Sequence, residues 1–137
     1  MMKRLRVLLV DDDDSVRRAL ARAIRRAGFD VQAFRSAEAL LAYGVPERLR
    51  ILSVSKNEGH GDLHEACLVL DVNLPGTDGI AFKQALAGGS RDLPTIFITA
   101  LEPAKVSEAL AALSPVAVLY KPFDNDDLIA AIERAQG

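Results

Sequence analysis

Four apolar residues, Cys67-Leu68-Val69-Leu70, run without a break and stop at a carboxylate, Asp71, before Val72-Asn73-Leu74-Pro75-Gly76 turns the chain. An apolar run this short, with no polar alternation, suits a strand buried on both faces of a parallel sheet. Sheets of that kind carry their chemistry in the crevice beyond the carboxyl ends of the strands. Asp71 stands at such an end and is the first candidate for a reacting group. The plainer reading is an Asp that only starts the following turn.

The same rhythm extends to either side. Residues 5–10 form a strand candidate that runs straight into Asp11, Asp12, Asp13, Asp14 and Ser15. Val16, Leu20, Ile24 and Ala27 then recur at helical spacing, with Arg18, Arg22, Arg25 and Arg26 opposite and Gly28 closing the helix. The arginine set reads as a solvated face in preference to a docking surface. Residues 31–34 give a second strand, and Ser36 caps a second helix. After the third strand, residues 67–70, a helix is expected from about 78 to 87, ending at Gly88-Gly89. A fourth strand, 95–98, precedes a helix carrying Val106, Ala109, Leu110 and Leu113. The fifth strand, 116–120, ends at Lys121-Pro122-Phe123, and the last helix begins near Asp124 or Asn125 with Leu128, Ile129 and Ile132 inward.

Five strands alternating with five helices predict an α/β fold, a parallel sheet with helices on both faces. Right-handed crossovers around a central first strand give the flavodoxin-like order 2-1-3-4-5. The 137 residues make one domain, and a net charge of −2 gives no electrostatic case for this domain binding nucleic acid. No apolar run approaches the roughly 20 residues of a membrane helix, and the basic start meets four aspartates too soon for a signal peptide. Cys67 is the single cysteine, so no internal disulfide forms and a cytoplasmic protein is expected. Residues 44–65 interrupt the rhythm. Residues 49–55 there read as an extra edge strand or helical turn, and residues 57–62 as a loop tip. His60, Asp62, His64 and Glu65 are metal-capable types, but their glycine-rich setting favours a solvated loop.

In the expected order, the carboxyl ends of strands one, three, four and five open on one edge. That edge gathers Asp11, Asp12, Asp71, Thr99 and Lys121. Crowded carboxylates resist ionising unless a cation compensates them. Oxygen-only donors suit Mg2+, with Asn73 able to add a backbone carbonyl. A carboxylate can itself be the nucleophile and form an aspartyl-phosphate, with a metal and a lysine offsetting charge on the transferring group. Each element alone is weak, because aspartates cap helices and Lys-Pro makes turns. Together, in order, at successive strand ends, they are specific.

The segments LLVDDDDSVRRAL, LDVNLPGTDG, PTIFITA and YKPF resemble the receiver domain of bacterial two-component response regulators, the CheY-like family. The resemblance covers residues 1–137 as one receiver domain, apart from the extended segment at about 44–65, and is closest to the FixJ-like branch. It implies that Asp71 accepts phosphate from a histidine kinase or phosphotransfer protein. It implies Mg2+ held by Asp11, Asp12, Asp71 and the carbonyl of Asn73, with Thr99 and Lys121 engaging the phosphoryl group. Asp13 and Asp14 fall outside that ligand set and read as residues favoured at a helix start by the dipole. The Lys121–Pro122 bond is expected to be cis. Such a domain is no enzyme beyond its own phosphorylation and dephosphorylation. Its downstream partner is a separate protein or a missing output domain, with a phosphorylation-dependent dimer as an open alternative. FixJ-like receivers usually precede a helix-turn-helix domain, so a stand-alone or excised receiver is expected here.

Two departures from the family stand out: the extended segment at about 44–65, expected at the amino-terminal edge of the sheet and suited to partner contact or edge covering, and the residue at the switch position. Val118 occupies the position where the family carries an aromatic residue, and Tyr120, of the same strand parity, reads equally as a partial substitute or as plain packing. Leu101, two residues past Thr99, offers no polar group to orient an attacking water, which implies a long-lived phosphate. Among rival readings, a haloacid-dehalogenase-like phosphatase needs a second Asp where this chain has Asn73, and a flavin site lacks its phosphate loop. A pseudo-receiver that binds partners without phosphorylation is the alternative.

Overall fold

The computed structural model describes residues 4–43, 64–74, 77–78 and 94–136. Its elements are β1 (Arg4–Val10), α1 (Asp14–Arg26), β2 (Asp30–Phe34), α2 (Ala37–Tyr43), β3 (His64–Asp71), β4 (Asn73–Leu74), β5 (Thr77–Asp78), β6 (Thr95–Thr99), α3 (Pro103–Ala111), β7 (Ala117–Tyr120) and α4 (Asn125–Gln136). Five strands form one parallel sheet in the order β2-β1-β3-β6-β7, the expected flavodoxin-like arrangement.

Strand parity divides the core into two layers. Val7, Leu9, Cys67, Val69, Ile96 and Ile98 point to the side packed by Leu20 and Ile24 of α1 and Leu128 and Ile132 of α4. Leu8, Val10, Leu68, Leu70 and Phe97 point to the other side, against Leu40 of α2 and Val106 and Leu110 of α3. Both faces of β3 are therefore apolar and covered, which is why its sequence shows no alternation. Cys67 is wholly buried, and desolvation pushes its thiol up to about 12.

Helix ends follow local chemistry. Asp13 caps α1, its carboxylate accepting the Val16 N–H at 3.0 Å. Ser36 caps α2 in the same way, its Oγ accepting the Ala39 N–H at 3.1 Å. Gly28 follows α1 with φ of +97°, and two bonds close the end: Gly28 N–H to the Arg25 carbonyl and Phe29 N–H to the Ile24 carbonyl. That is the Schellman pattern, with Phe29 and Ile24 in the same apolar layer.

Several expectations shift. β3 begins at His64, not Cys67, because β1 offers backbone partners that far: Arg4 pairs with His64 and Leu5 with Glu65. His64 and Glu65 thus belong to the sheet and not to a loop; the rest of the interrupting segment lies outside the described residues. The helix expected from about 78 cannot start there, since Asp78 pairs with Asn73 in the small antiparallel β4–β5 ribbon. Its remainder lies outside the described residues, among which there are four helices. Ala27 and Ala109 are exposed despite their helical spacing. Ala27 is the C-cap of α1, and the apolar packing at that end comes from Ile24 and Phe29.

Candidate functional site

The site is assembled by backbone pairing that continues just past each strand end. The Asp11 N–H donates to the Phe34 carbonyl at 3.1 Å, holding Asp11 at the end of the β1–β2 ladder. The Val72 N–H donates to the Ile98 carbonyl at 3.0 Å, fixing Asp71 beside β6. The Lys121 N–H donates to the Thr99 carbonyl at 2.7 Å, bringing the lysine to the same edge. Asp11, Asp71 and Thr99 are buried there, while Asp12 is exposed.

Lys121 Nζ stands 3.3 Å from Asp71 Oδ2 and 3.5 Å from Asp11 Oδ2, between the two buried carboxylates. Asp11 Oδ1 accepts the Asp13 N–H at 2.9 Å. Thr99 Oγ1 accepts the Leu101 N–H at 2.9 Å, which turns the chain out of β6.

Burial raises the Asp11 carboxyl above the ordinary 3.8, opposed by the Asp13 N–H and the Lys121 charge and reinforced by the charge of Asp71. For Lys121 burial pulls the other way, but the charges of Asp71 and Asp11 outweigh it and hold the ammonium above its ordinary 10.5. One ammonium thus faces a carboxylate cluster it cannot neutralise. Asp11, Asp12 and Asp71 each offer an oxygen, all within 4.8 Å of one another, and are the only such group of potential ligands among the described residues. Hard oxygen donors in excess negative charge fit a small divalent cation.

Comparison with known proteins decides the family. Residues 7–133 match the model of the response regulator receiver domain. The chain belongs to that family. Nodulation protein W of Bradyrhizobium diazoefficiens is 33% identical to this receiver over 129 residues, covering 94% of the chain and 50% of that protein. The transcriptional regulatory protein FixJ of Azorhizobium caulinodans is 30% identical over 137 residues, covering 100% of the chain and 57% of FixJ. The receiver thus spans about half the length of the curated relatives it matches. The crystal structure of FixJ-N superposes with a TM-score of 0.75 at 27% identity, covering 98% of this chain and 95% of that one. This is a CheY-like receiver domain of two-component signal transduction. Receiver domains are not enzymes in the ordinary sense.

Of the residues singled out from sequence, Asp11, Asp12, Asp71 and Lys121 converge in the receiver, and Thr99 ends the neighbouring strand. Asn73 opens β4 immediately past the Asp71 turn. The Lys121–Pro122 bond is cis. Val118, Tyr120 and Leu101 are all half-buried against the α2–α3 layer, so the shared parity of Val118 and Tyr120 holds. Sequence reading missed Arg17. Its guanidinium donates to the Asp11 backbone carbonyl at 3.0 Å and pairs with the Asp14 carboxylate. The i,i+3 spacing from Asp14 was the available signal.

Proposed function

We propose that the receiver takes a phosphoryl group from a phosphohistidine onto Asp71 in a magnesium-dependent reaction, and that this changes a surface read by a downstream partner. The observation that carries the reading is Asp71 at the end of the buried central strand, with Lys121 at 3.3 Å and Asp11 and Asp12 beside it. A carboxylate oxygen of Asp71 attacks phosphorus in line; the O–P bond forms as the P–N bond to imidazole breaks. Magnesium, when bound, offsets charge on the phosphoryl oxygens. Asp11, Asp12, Asp71 and the Asn73 carbonyl are the residues that would hold it. Lys121 would trade its contact with Asp71 for the phosphoryl group, and Thr99 would turn its hydroxyl from the Leu101 N–H toward the same group. Val118, Tyr120 and Leu101 pack on the α2–α3 layer, and the output surface in this reading lies around α3, β7 and α4. Leu101, packed against that layer, leaves water unoriented and gives the acyl phosphate a long life.

The donor would be a histidine kinase or phosphotransfer protein, and the output a separate protein, a further domain or a phosphorylation-dependent dimer. No helix among the described residues is long and apolar enough to cross a membrane, and we place the receiver in the cytoplasm with its kinase's catalytic region. The test is intact mass after incubation with acetyl phosphate and magnesium. Wild type should gain one phosphoryl group, and Asp71→Asn none. Gain without magnesium, or equal gain in the variant, would overturn the assignment, as would no gain in folded wild type.

A further inference from the structure

Helix α1 carries Arg18, Arg22, Arg25 and Arg26 exposed to solvent, whereas the side chain of Arg17 keeps only 15% of its surface exposed. Its two terminal nitrogens serve opposite ends of the acidic turn. Nη1 donates to the backbone carbonyl of Asp11, and Nη2 bonds the carboxylate of Asp14. The backbone N–H of Arg17 donates to the Asp13 carbonyl at 2.8 Å, so the strap is anchored in the first turn of α1. Asp12, exposed and next to Asp11, lies within the span that this side chain closes.

The geometry points to Arg17 as a positioning residue for the cation subsite: by strapping Asp11 to the start of α1, it fixes the Asp11 and Asp12 carboxylates at the separation that lets them share one divalent cation with Asp71. This rests on the reading that those carboxylates hold magnesium. Magnesium demands near-octahedral geometry and tolerates ligand displacement poorly. The bond from a guanidinium to a carbonyl is charge-assisted, and the planar fork reaches two acceptors that an ammonium cannot reach together.

The sign of the effect separates positioning from electrostatics. A positive charge beside a cation site opposes the cation, so removing Arg17 as a charge alone would tighten magnesium binding. Removing it as a strap weakens binding. Outer-shell partners of metal ligands typically cost about 10–100-fold in affinity when lost, and Arg17→Ala is expected at the lower end, about tenfold.

The experiment is calorimetric titration of the full chain with magnesium chloride, with circular dichroism confirming the fold of each variant. Wild type, Arg17→Ala, Arg17→Lys and Arg22→Ala are compared. Arg17→Ala should weaken binding about tenfold, Arg17→Lys, which keeps the charge but reaches only one of the two acceptors, should also weaken it, and Arg22→Ala should not weaken it. Equal or tighter binding by folded Arg17→Ala would overturn the inference. If Arg17→Ala does not fold, Arg17→Lys decides: wild-type affinity in that variant overturns it. Absence of magnesium binding by folded wild type would instead overturn the metal assignment itself, and the strap's role with it.

Discussion

The two strands that bring Asp71 and Lys121 together are built to different standards. β3 is central, paired to β1 on one side and β6 on the other, and Cys67 to Leu70 have no exposure at all. β7 is paired to β6, and every residue from Ala117 to Tyr120 is only half-buried. Asp71 thus ends the best-fixed strand, and Lys121 follows directly on one that can shift at lower cost. Local stability in proteins is uneven, and elements that move in switching come from its low end. In this receiver the contrast spans two strands separated only by β6.

The contrast can be broken by mutation. Leu70→Ala on β3 should destabilise by about 2–5 kcal/mol in urea unfolding, the range for emptying a buried leucine site. A cost no larger than that of Val118→Ala on β7 would erase the distinction.

Lys121→Met comes next. It leaves Asp11 and Asp71 facing each other without their cation. Breaking a fully buried pair costs about 3–5 kcal/mol; with the Lys121 side chain 26% exposed, about 2 kcal/mol is expected in the absence of divalent ions. Magnesium should recover much of it, read as a larger rise in Tm than wild type shows. An equal rise would mean that the lysine does not compensate the carboxylates.

A smaller effect appears in the pH profile without divalent ions. Asp11 has its folded-state pKa raised above 3.8, chiefly by burial, so the folded chain holds this proton more tightly than the unfolded chain. Its contribution therefore favours folding as pH falls through the folded value toward 3.8 and is lost as pH rises. Asp11→Asn should flatten that segment of the urea-derived stability curve; an unchanged slope would contradict the burial argument. Lys121 acts at the other end. Its raised pKa gives stability that is complete below 10.5 and lost as pH climbs through the folded value. Last and smallest, Val118→Ala should cost about 1 kcal/mol, since a half-buried β-branched side chain loses part of its contact.

Much of this was readable from sequence because the fold repeats one simple device. Each apolar run is followed by a polar residue at the strand end, so the positions of Asp11, Asp71, Thr99 and Lys121 could be read once the strand order was known. What hydrophobicity does not encode was less legible. His64 and Glu65 join β3 through backbone pairing with β1, which any residue type can provide. The β4–β5 ribbon likewise rests on main-chain partners. Ala109 obeys helical spacing yet is exposed, because a methyl group defines a face only weakly. Arg17 was hidden among arginines; only the direction of its side chain separates it from those in solvent.

The burial of Cys67 has a practical corollary. An alkylating reagent consumes thiolate, and a thiol pushed up to about 12 with no exposed surface offers almost none. Modification must therefore wait until the central strand comes away from its neighbours. Since Cys67 is the single cysteine, the labelling rate is a clock for opening of the sheet, with no probe to be engineered. Read with and without acetyl phosphate, it reports whether events at the carboxyl edge are felt in the middle of the strand that carries them.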